Sequence, residues 1–183
     1  MGRWFYRGGQ ELLAICEKLK QTACPHCKVI GTLNRHGSLR GYDASSRQRT
    51  VRARRVYCSN RHARKGCGRT FSIWLADKIR RLSLTTGCLH KFLKLVVANG
   101  IAAAVRELDS PLSDRTLQRI WQRFKHGQSK IRTALLPRCD PPPLPAESPQ
   151  SPAAEVLAHL EAAFPNAGCP IAAFQHAMRT FFL

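Results

Sequence analysis

Four cysteines in the first third of the chain restrict its fold more than any other feature. Cys24 and Cys27 form a C-x2-C pair, and Cys58 and Cys67 follow, with eight residues between them. Cysteine pairs from two separate turns are typical of zinc ribbons, in which four thiolates hold a tetrahedral ion at about 2.3 Å. The spacing predicts a small β-structured unit stabilised by one structural Zn²⁺ per chain, because four protein ligands leave no open coordination position.

The second cysteine pair is longer than the usual knuckle, and this leaves alternatives open. A loop can bulge between Cys58 and Cys67 while both remain ligands, and Gly66 and Gly68 allow the backbone to turn tightly around Cys67. A rival site uses His62 in place of Cys67, since Cys58-x3-His62 also has metal-ligand spacing. A third alternative is that the cysteines bind no metal.

The charge of the chain is concentrated in its first three quarters. The formal net charge is +19, and residues 1–137 hold 28 lysines and arginines against 7 acidic residues, whereas residues 138–183 hold 2 against 4. Such a segment repels itself unless a polyanion offsets the charge, and nucleic acid is the usual polyanion. A basic surface that only keeps the protein soluble is the simpler alternative.

The N-terminal sequence and the hydropathy pattern bear on location. The start lacks the apolar run of a signal peptide, and no stretch approaches the roughly 18 consecutive apolar residues of a membrane span. We therefore expect a cytoplasmic, nucleoid-associated protein without a membrane contact, in which cysteines are reduced or bind metal. The aromatic run at residues 4–6 is expected to pack against a neighbouring element, and stacking on nucleic-acid bases is the alternative.

The sequence after the cysteines changes to a helical pattern. An apolar stripe that begins at Leu89 stops at Asn99-Gly100, a second stripe starts at Ile101, and Ser113 can cap a third helix. A tight turn at Pro111 between the second and third helices is the layout of a helix-turn-helix unit. The inward residues predicted for the third helix are Leu117, Ile120, Trp121 and Phe124.

The end of the chain has a different character. Residues 137–152 contain seven prolines, which predicts a stiff, extended linker. Two short apolar helices are predicted after it, over residues 153–183, and such a pair buries little surface alone. We expect it to dock on the rest of the chain, on a second copy or on another protein.

Two sets of polar residues are candidates for contact with double-stranded DNA. Arginine can bind guanine and glutamine can bind adenine in the major groove, whereas a basic strand and loop contact phosphates. The alternative for each set is a solvated surface. The predicted base-contacting residues, on the third helix, are Arg115, Gln118, Arg119, Gln122 and Arg123; the predicted phosphate-contacting residues are Arg52, Arg54, Arg55, Arg61, Arg64 and Lys65.

Three sequence features together resemble a known family. The motif CPHC, a basic strand ending in YC, and the run GCGRTFS resemble the zinc ribbon at the N-terminus of bacterial insertion-sequence transposases, where a helix-turn-helix follows. The resemblance covers roughly residues 20–136 and implies that Cys24, Cys27, Cys58 and Cys67 are the metal ligands. The eight-residue gap departs from the family pattern.

The combined prediction is an α+β protein with no catalytic domain. Transposases carry a further domain with three metal-binding carboxylates, and the acidic residues after residue 136 are scattered over a linker and a helix. We therefore expect no enzyme but a zinc-stabilised DNA-binding regulator or targeting subunit. Two alternatives are a subunit of a transposase or nuclease whose active site lies on another chain, and an RNA-binding zinc protein. The predicted segments are an N-terminal amphipathic helix (1–22), a zinc ribbon (23–75), a helix-turn-helix unit (76–136), the proline-rich linker (137–152) and a C-terminal helical pair (153–183).

Overall fold

The computed structural model describes residues 4–43, 48–146 and 149–183. The first three residues of the predicted N-terminal segment, and Glu147 and Ser148 of the predicted linker, lie outside these ranges. Within the described residues the protein is α+β, as the sequence predicts, with one four-stranded mixed sheet and five α-helices.

The sheet has the strand order β1-β4-β3-β2. Strand β1 runs parallel to β4, whereas β3 is antiparallel to both of its neighbours. The residues of β1 are the aromatic run that the sequence predicts to pack, and Phe5 and Tyr6 are indeed buried. The strands are β1 (Trp4–Tyr6), β2 (Leu33–Asp43), β3 (Gln48–Cys58) and β4 (Thr70–Leu75).

The burial of side chains along β3 does not follow the alternation of apolar and basic residues in its sequence. Leu39 of β2 pairs with Ala53 and Arg40 pairs with Val51, so Arg52 is left without a partner in the register. An extra residue of this kind forms a β-bulge, which redirects its side chain. Arg52 and Ala53 are consequently both buried.

The position of Arg52 contradicts one sequence prediction. Its guanidinium donates hydrogen bonds to the backbone carbonyls of Tyr42, Ile79 and Leu82, at 3.0 Å for Tyr42 and 2.6 Å for Ile79. The predicted phosphate contact of Arg52 is wrong, because the bulge turns this side chain into the protein, where it fixes the β2–β3 hairpin to the segment after β4.

The helices begin and end close to the predicted signals. Thr85 caps α2 through its side chain, and Gly100, with a φ of 80°, breaks this helix at the predicted stop. Ser113 precedes α3, as expected for a cap position, although its side chain makes no capping hydrogen bond to the backbone. The helices are α1 (Gly9–Glu17), which continues as a 3-10 turn over Lys18–Gln21, α2 (Thr86–Glu107), α3 (Asp114–Leu135), α4 (Pro152–Ala163) and α5 (Pro170–Met178).

Helix α2 is the one described helix whose length and apolar composition would allow it to cross a membrane. The break at Gly100 divides it into two shorter segments, and Leu89, Phe92 and Leu93 face the interior. Both features are compatible with a soluble protein.

Helices α2 to α5 share one apolar core. Phe92 of α2, Phe124 of α3, Leu160 of α4 and Phe174 of α5 all lie in it with at most 2% of their surface exposed. The C-terminal helical pair therefore docks on the preceding helices of its own chain. Of the inward residues predicted for α3, Leu117, Ile120 and Phe124 are buried and Trp121 is partly buried.

The C-terminal residues join this helical core to the sheet. The buried side chain of Gln175 donates to the carbonyl oxygens of Ala76, at 2.7 Å, and Lys78, at 3.1 Å, and it accepts from the backbone N–H of Phe182. Phe181 packs edge-on against Phe5 of β1, with ring centroids 5.2 Å apart. The last residues of the chain thus hold the sheet and the helices in a defined relative position.

Replacing Gln175 by leucine leaves two carbonyls and one N–H without their partner in a buried place. Each buried unsatisfied group costs about 1–3 kcal/mol, so we expect Gln175→Leu to lower the free energy of unfolding by about 2–5 kcal/mol, measured by urea denaturation. The exposed Gln21 provides the control, since Gln21→Leu should change the free energy of unfolding by less than about 0.5 kcal/mol. A Gln175→Leu protein as stable as the parent would contradict this role.

Candidate metal centre and basic surface

The four predicted cysteine ligands converge in the structure. The Sγ atoms of Cys24 and Cys67 lie 3.9 Å apart, those of Cys27 and Cys58 lie 3.6 Å apart, and all four lie within 4.8 Å of one another. Four sulfurs at about 2.3 Å from a tetrahedral ion would be about 3.8 Å apart. The geometry therefore fits a metal centre of four thiolates, and the donor chemistry suits a soft divalent ion.

The first pair of cysteines lies on a turn held by the backbone of Cys24. Its N–H donates to the carbonyl of Val29 at 3.0 Å, and its carbonyl accepts from the N–H of Lys28 at 2.9 Å. The N–H of His26 points at the Cys24 sulfur, at 3.4 Å. N–H groups directed at sulfur stabilise thiolates, so the turn is already arranged for a ligand.

The second pair lies at the base of a hairpin between β3 and β4. The N–H of Cys58 donates to the carbonyl of Arg69, and the N–H of Gly68 returns a bond to the carbonyl of Cys58. The N–H of Cys67 is directed at the Cys58 sulfur, at 3.3 Å. The eight-residue gap is accommodated because the extra residues extend the hairpin outward while its base keeps both cysteines adjacent.

Gly66 and Gly68 make this base narrow enough. A Cβ atom at Gly66 would lie 2.1 Å from the carbonyl oxygen of Ser59 and 2.9 Å from the Cys58 sulfur. Gly68 has a φ of 70°, a conformation that glycine adopts without strain. The close approach of the two backbone segments at the metal centre thus depends on glycine, as the sequence predicts.

The rival ligand His62 lies in the exposed tip of this hairpin. The N–H of Arg64 donates to the carbonyl of Arg61 at 3.2 Å, and the two residues between them, His62 and Ala63, both have positive φ. This turn forms the exposed end of the hairpin. His62 is exposed and does not belong to the cluster of Cys24, Cys27, Cys58 and Cys67.

The thiols of Cys24 and Cys58 differ in acidity. Burial raises the pKa of Cys24 to about 11. Burial also opposes ionisation of Cys58, but hydrogen bonds outweigh it, chiefly from the Thr32 hydroxyl and the N–H of Cys67, and lower the pKa of Cys58 to about 7. Adjacent thiols cannot all ionise without a cation to offset their charge. Cys58 therefore ionises before Cys24, and a divalent ion would supply the charge that adjacent thiolates need.

Thr32 contributes to this site, although no motif in the sequence indicates it. Its hydroxyl oxygen lies 3.1 Å from the Cys58 sulfur, and its carbonyl accepts from the N–H of Ser59 at 2.8 Å. Threonine carries no ligand signal of its own. Only its position just before β2, opposite the end of β3, brings it to the cysteines.

The basic residues predicted to contact phosphate, apart from Arg52, are exposed, but they do not share one surface. Arg54 and Arg55 are successive residues of β3, so their side chains leave opposite faces of the sheet. Arg54 donates to the Ser38 hydroxyl at 2.6 Å. The hairpin tip carries the other exposed cations, Arg61, Arg64 and Lys65.

The predicted base-contacting residues lie together on α3. They occupy positions 115, 118, 119, 122 and 123, which recur at helical spacing, and all five are exposed. The opposite side of the helix carries Leu117, Ile120 and Phe124, which are at most 1% exposed. The helix therefore presents a continuous polar and basic face outside the core.

No protein-family model, no curated protein and no solved structure matches the chain.

Metal analysis of the purified protein tests the cluster directly. We expect one divalent ion per chain, and replacement of Cys67 by serine should lower the metal content strongly, because a thiolate ligand is lost. Cys139→Ser, at a cysteine outside the cluster, and His62→Ala should both retain the full content. Loss of the metal in His62→Ala with retention in Cys67→Ser would instead establish the rival site.

The glycine at the base of the hairpin provides a second test. Gly66→Ala would force a Cβ atom into the Ser59 carbonyl and the Cys58 sulfur, so we expect at least about a tenfold weaker affinity for the metal. Gly127→Ala is the matched control, since a Cβ atom there meets only the Ile131 side chain at 3.9 Å. Competition with a chromogenic chelator measures both, and equal affinities would contradict the close approach.

Proposed function

We propose that the protein is a zinc-stabilised, sequence-specific DNA-binding protein. The proposal joins the four-thiol centre to the resemblance of residues 20–136 to the DNA-recognition region of insertion-sequence transposases. Zinc is the ion proposed because four thiolates at tetrahedral spacing are its usual structural site. When bound, the ion would be held by Cys24, Cys27, Cys58 and Cys67 and would supply only cross-linking and charge compensation.

The observation that carries the proposal is the position of the basic hairpin tip on the metal centre. Cys58 and Cys67 lie at the base of the hairpin, and Arg61, Arg64 and Lys65 at its exposed tip. Asp43 is the one acidic residue between Lys18 and Ala76 in the sequence, and its carboxylate is paired with Lys78 at 2.6 Å. The basic surface of this segment therefore favours binding to a polyanion.

The two basic surfaces would have different roles on DNA. The hairpin tip and Arg55 would bind phosphates, which adds affinity without sequence information. The exposed face of α3 combines arginine and glutamine at spacings of three and four residues, as a helix in a major groove requires. Sequence preference would therefore depend on α3 and non-specific affinity on the hairpin.

The role that we propose is that of a regulator or of a subunit that directs a separate catalytic chain, in the cytoplasm and at the nucleoid. Among the described residues, the cysteine centre is the one group of three or more acidic, histidine or cysteine side chains close enough to share a metal ion. Four thiol ligands leave no open position on the ion, so the role that we propose for it is structural.

Binding to a random pool of DNA duplexes, followed by recovery and sequencing, tests the proposal. We expect a defined site to be enriched, and affinity to fall steeply with salt because bound phosphates release counterions. Arg119→Ala should relax the preference at one or two base pairs and cost about 1–3 kcal/mol on the preferred site.

Arg64→Ala provides the contrast. It should weaken all duplexes alike and reduce the salt slope by about one unit. Arg138→Ala, outside both surfaces, is the control and should change neither. The absence of any enriched sequence, together with tighter binding to structured RNA than to every duplex, would replace this proposal with the RNA-binding alternative.

A further inference from the structure

Two aromatic rings lie side by side on one face of the sheet. The centroids of His36 and Tyr57 are 5.6 Å apart, with an angle of 40° between the ring planes. His36 is exposed and Tyr57 is partly exposed. The Tyr57 hydroxyl donates to the Asn60 side chain at 2.6 Å, which fixes the tyrosine ring.

A β-bulge in β2 brings the two rings together. Arg35 pairs with Val56 and Ser38 pairs with Arg54, so His36 and Gly37 both stand opposite the single residue Arg55. Gly37 has a φ of 91°, which lets the strand turn at this point. His36 is thereby placed on the same face as Tyr57, next to Arg55.

Cations surround this pair of rings. Arg55 leaves the same face and is exposed, and Arg64 of the hairpin tip reaches Asn34, beside Tyr57 in the sheet, at 3.4 Å. Lys20 binds the same Asn34 oxygen at 2.5 Å. The sheet face therefore offers flat rings between positive charges.

We propose that this face binds unpaired nucleotides, with one base stacked on Tyr57 and His36 and the flanking phosphates bound by Arg55 and Arg64. Aromatic rings flanked by basic residues are how proteins bind single strands, since every base has a π-face to stack. Inside a duplex both faces of a base are covered by its neighbours. The site therefore selects a single-stranded end or a melted stretch, and it extends the proposed DNA binding from duplex alone to a junction.

The test compares three labelled DNA probes on the zinc-loaded full chain: a single strand of twelve nucleotides, a blunt duplex, and the same duplex with a single-stranded overhang. Tyr57→Leu keeps the apolar volume but removes the ring. We expect it to weaken the single strand and the overhang probe about 5- to 100-fold, in line with the loss of one stacked base, and to change the blunt duplex less than about twofold.

Two further variants control the test. Tyr57→Phe keeps the ring and should retain single-strand binding, and Tyr42→Leu removes an exposed tyrosine at the far end of β2 and should change nothing. A 2-aminopurine base in the single strand should change its fluorescence on binding to the parent protein but not to Tyr57→Leu.

The outcomes separate this proposal from the function on which it rests. If Tyr57→Leu lowers thermal stability but binds single strands as tightly as the parent, the two rings form only a structural cross-strand pair and the proposal is overturned. Equal weakening of the blunt duplex and the single strand would also overturn it. If the parent protein binds the duplex but no single strand, only the proposal for this site is overturned. If it binds no nucleic acid, both proposals are overturned.

Discussion

The convergence of four thiols at the ends of two turns is the constraint on which the basic half of the structure depends. Among the described residues, seven are buried in the core around the cysteines, and two of them, Cys24 and Cys58, are themselves proposed ligands. Buried thiolates repel one another unless a cation offsets their charge. The metal would therefore determine whether this sheet keeps a defined shape, and with it the position of the hairpin tip and its cations.

The helical half has a different source of stability, and the two halves meet at the end of the chain. Helices α2 to α5 enclose an apolar core that is separate from the four proposed metal ligands. Gln175 and Phe181 then attach this core to the sheet through hydrogen bonds and ring contacts. Because this junction is buried, it holds the helical core and the sheet in a defined relative position.

Local signals in the sequence predict much of this structure. The C-x2-C pair, the glycines around Cys67 and the Asn99-Gly100 stop each act within a few residues, and the turns and the helix break lie where these signals place them. The bulge at Arg52 depends instead on the pairing of two strands and was not predictable from alternation alone. The contributions of Thr32 and Gln175 also depend on distant partners, which a single sequence does not reveal.

We propose that a bound metal ion would position the basic surface through which the protein would bind DNA. The most direct measurement follows metal content and duplex affinity in one sample while a chelator removes the ion and Zn²⁺ is then restored. We expect metal content and duplex affinity to fall together and to recover together, and the dependence of the affinity on salt to return when Zn²⁺ is restored. A metal-free protein that binds the duplex with unchanged affinity and unchanged salt dependence would contradict it.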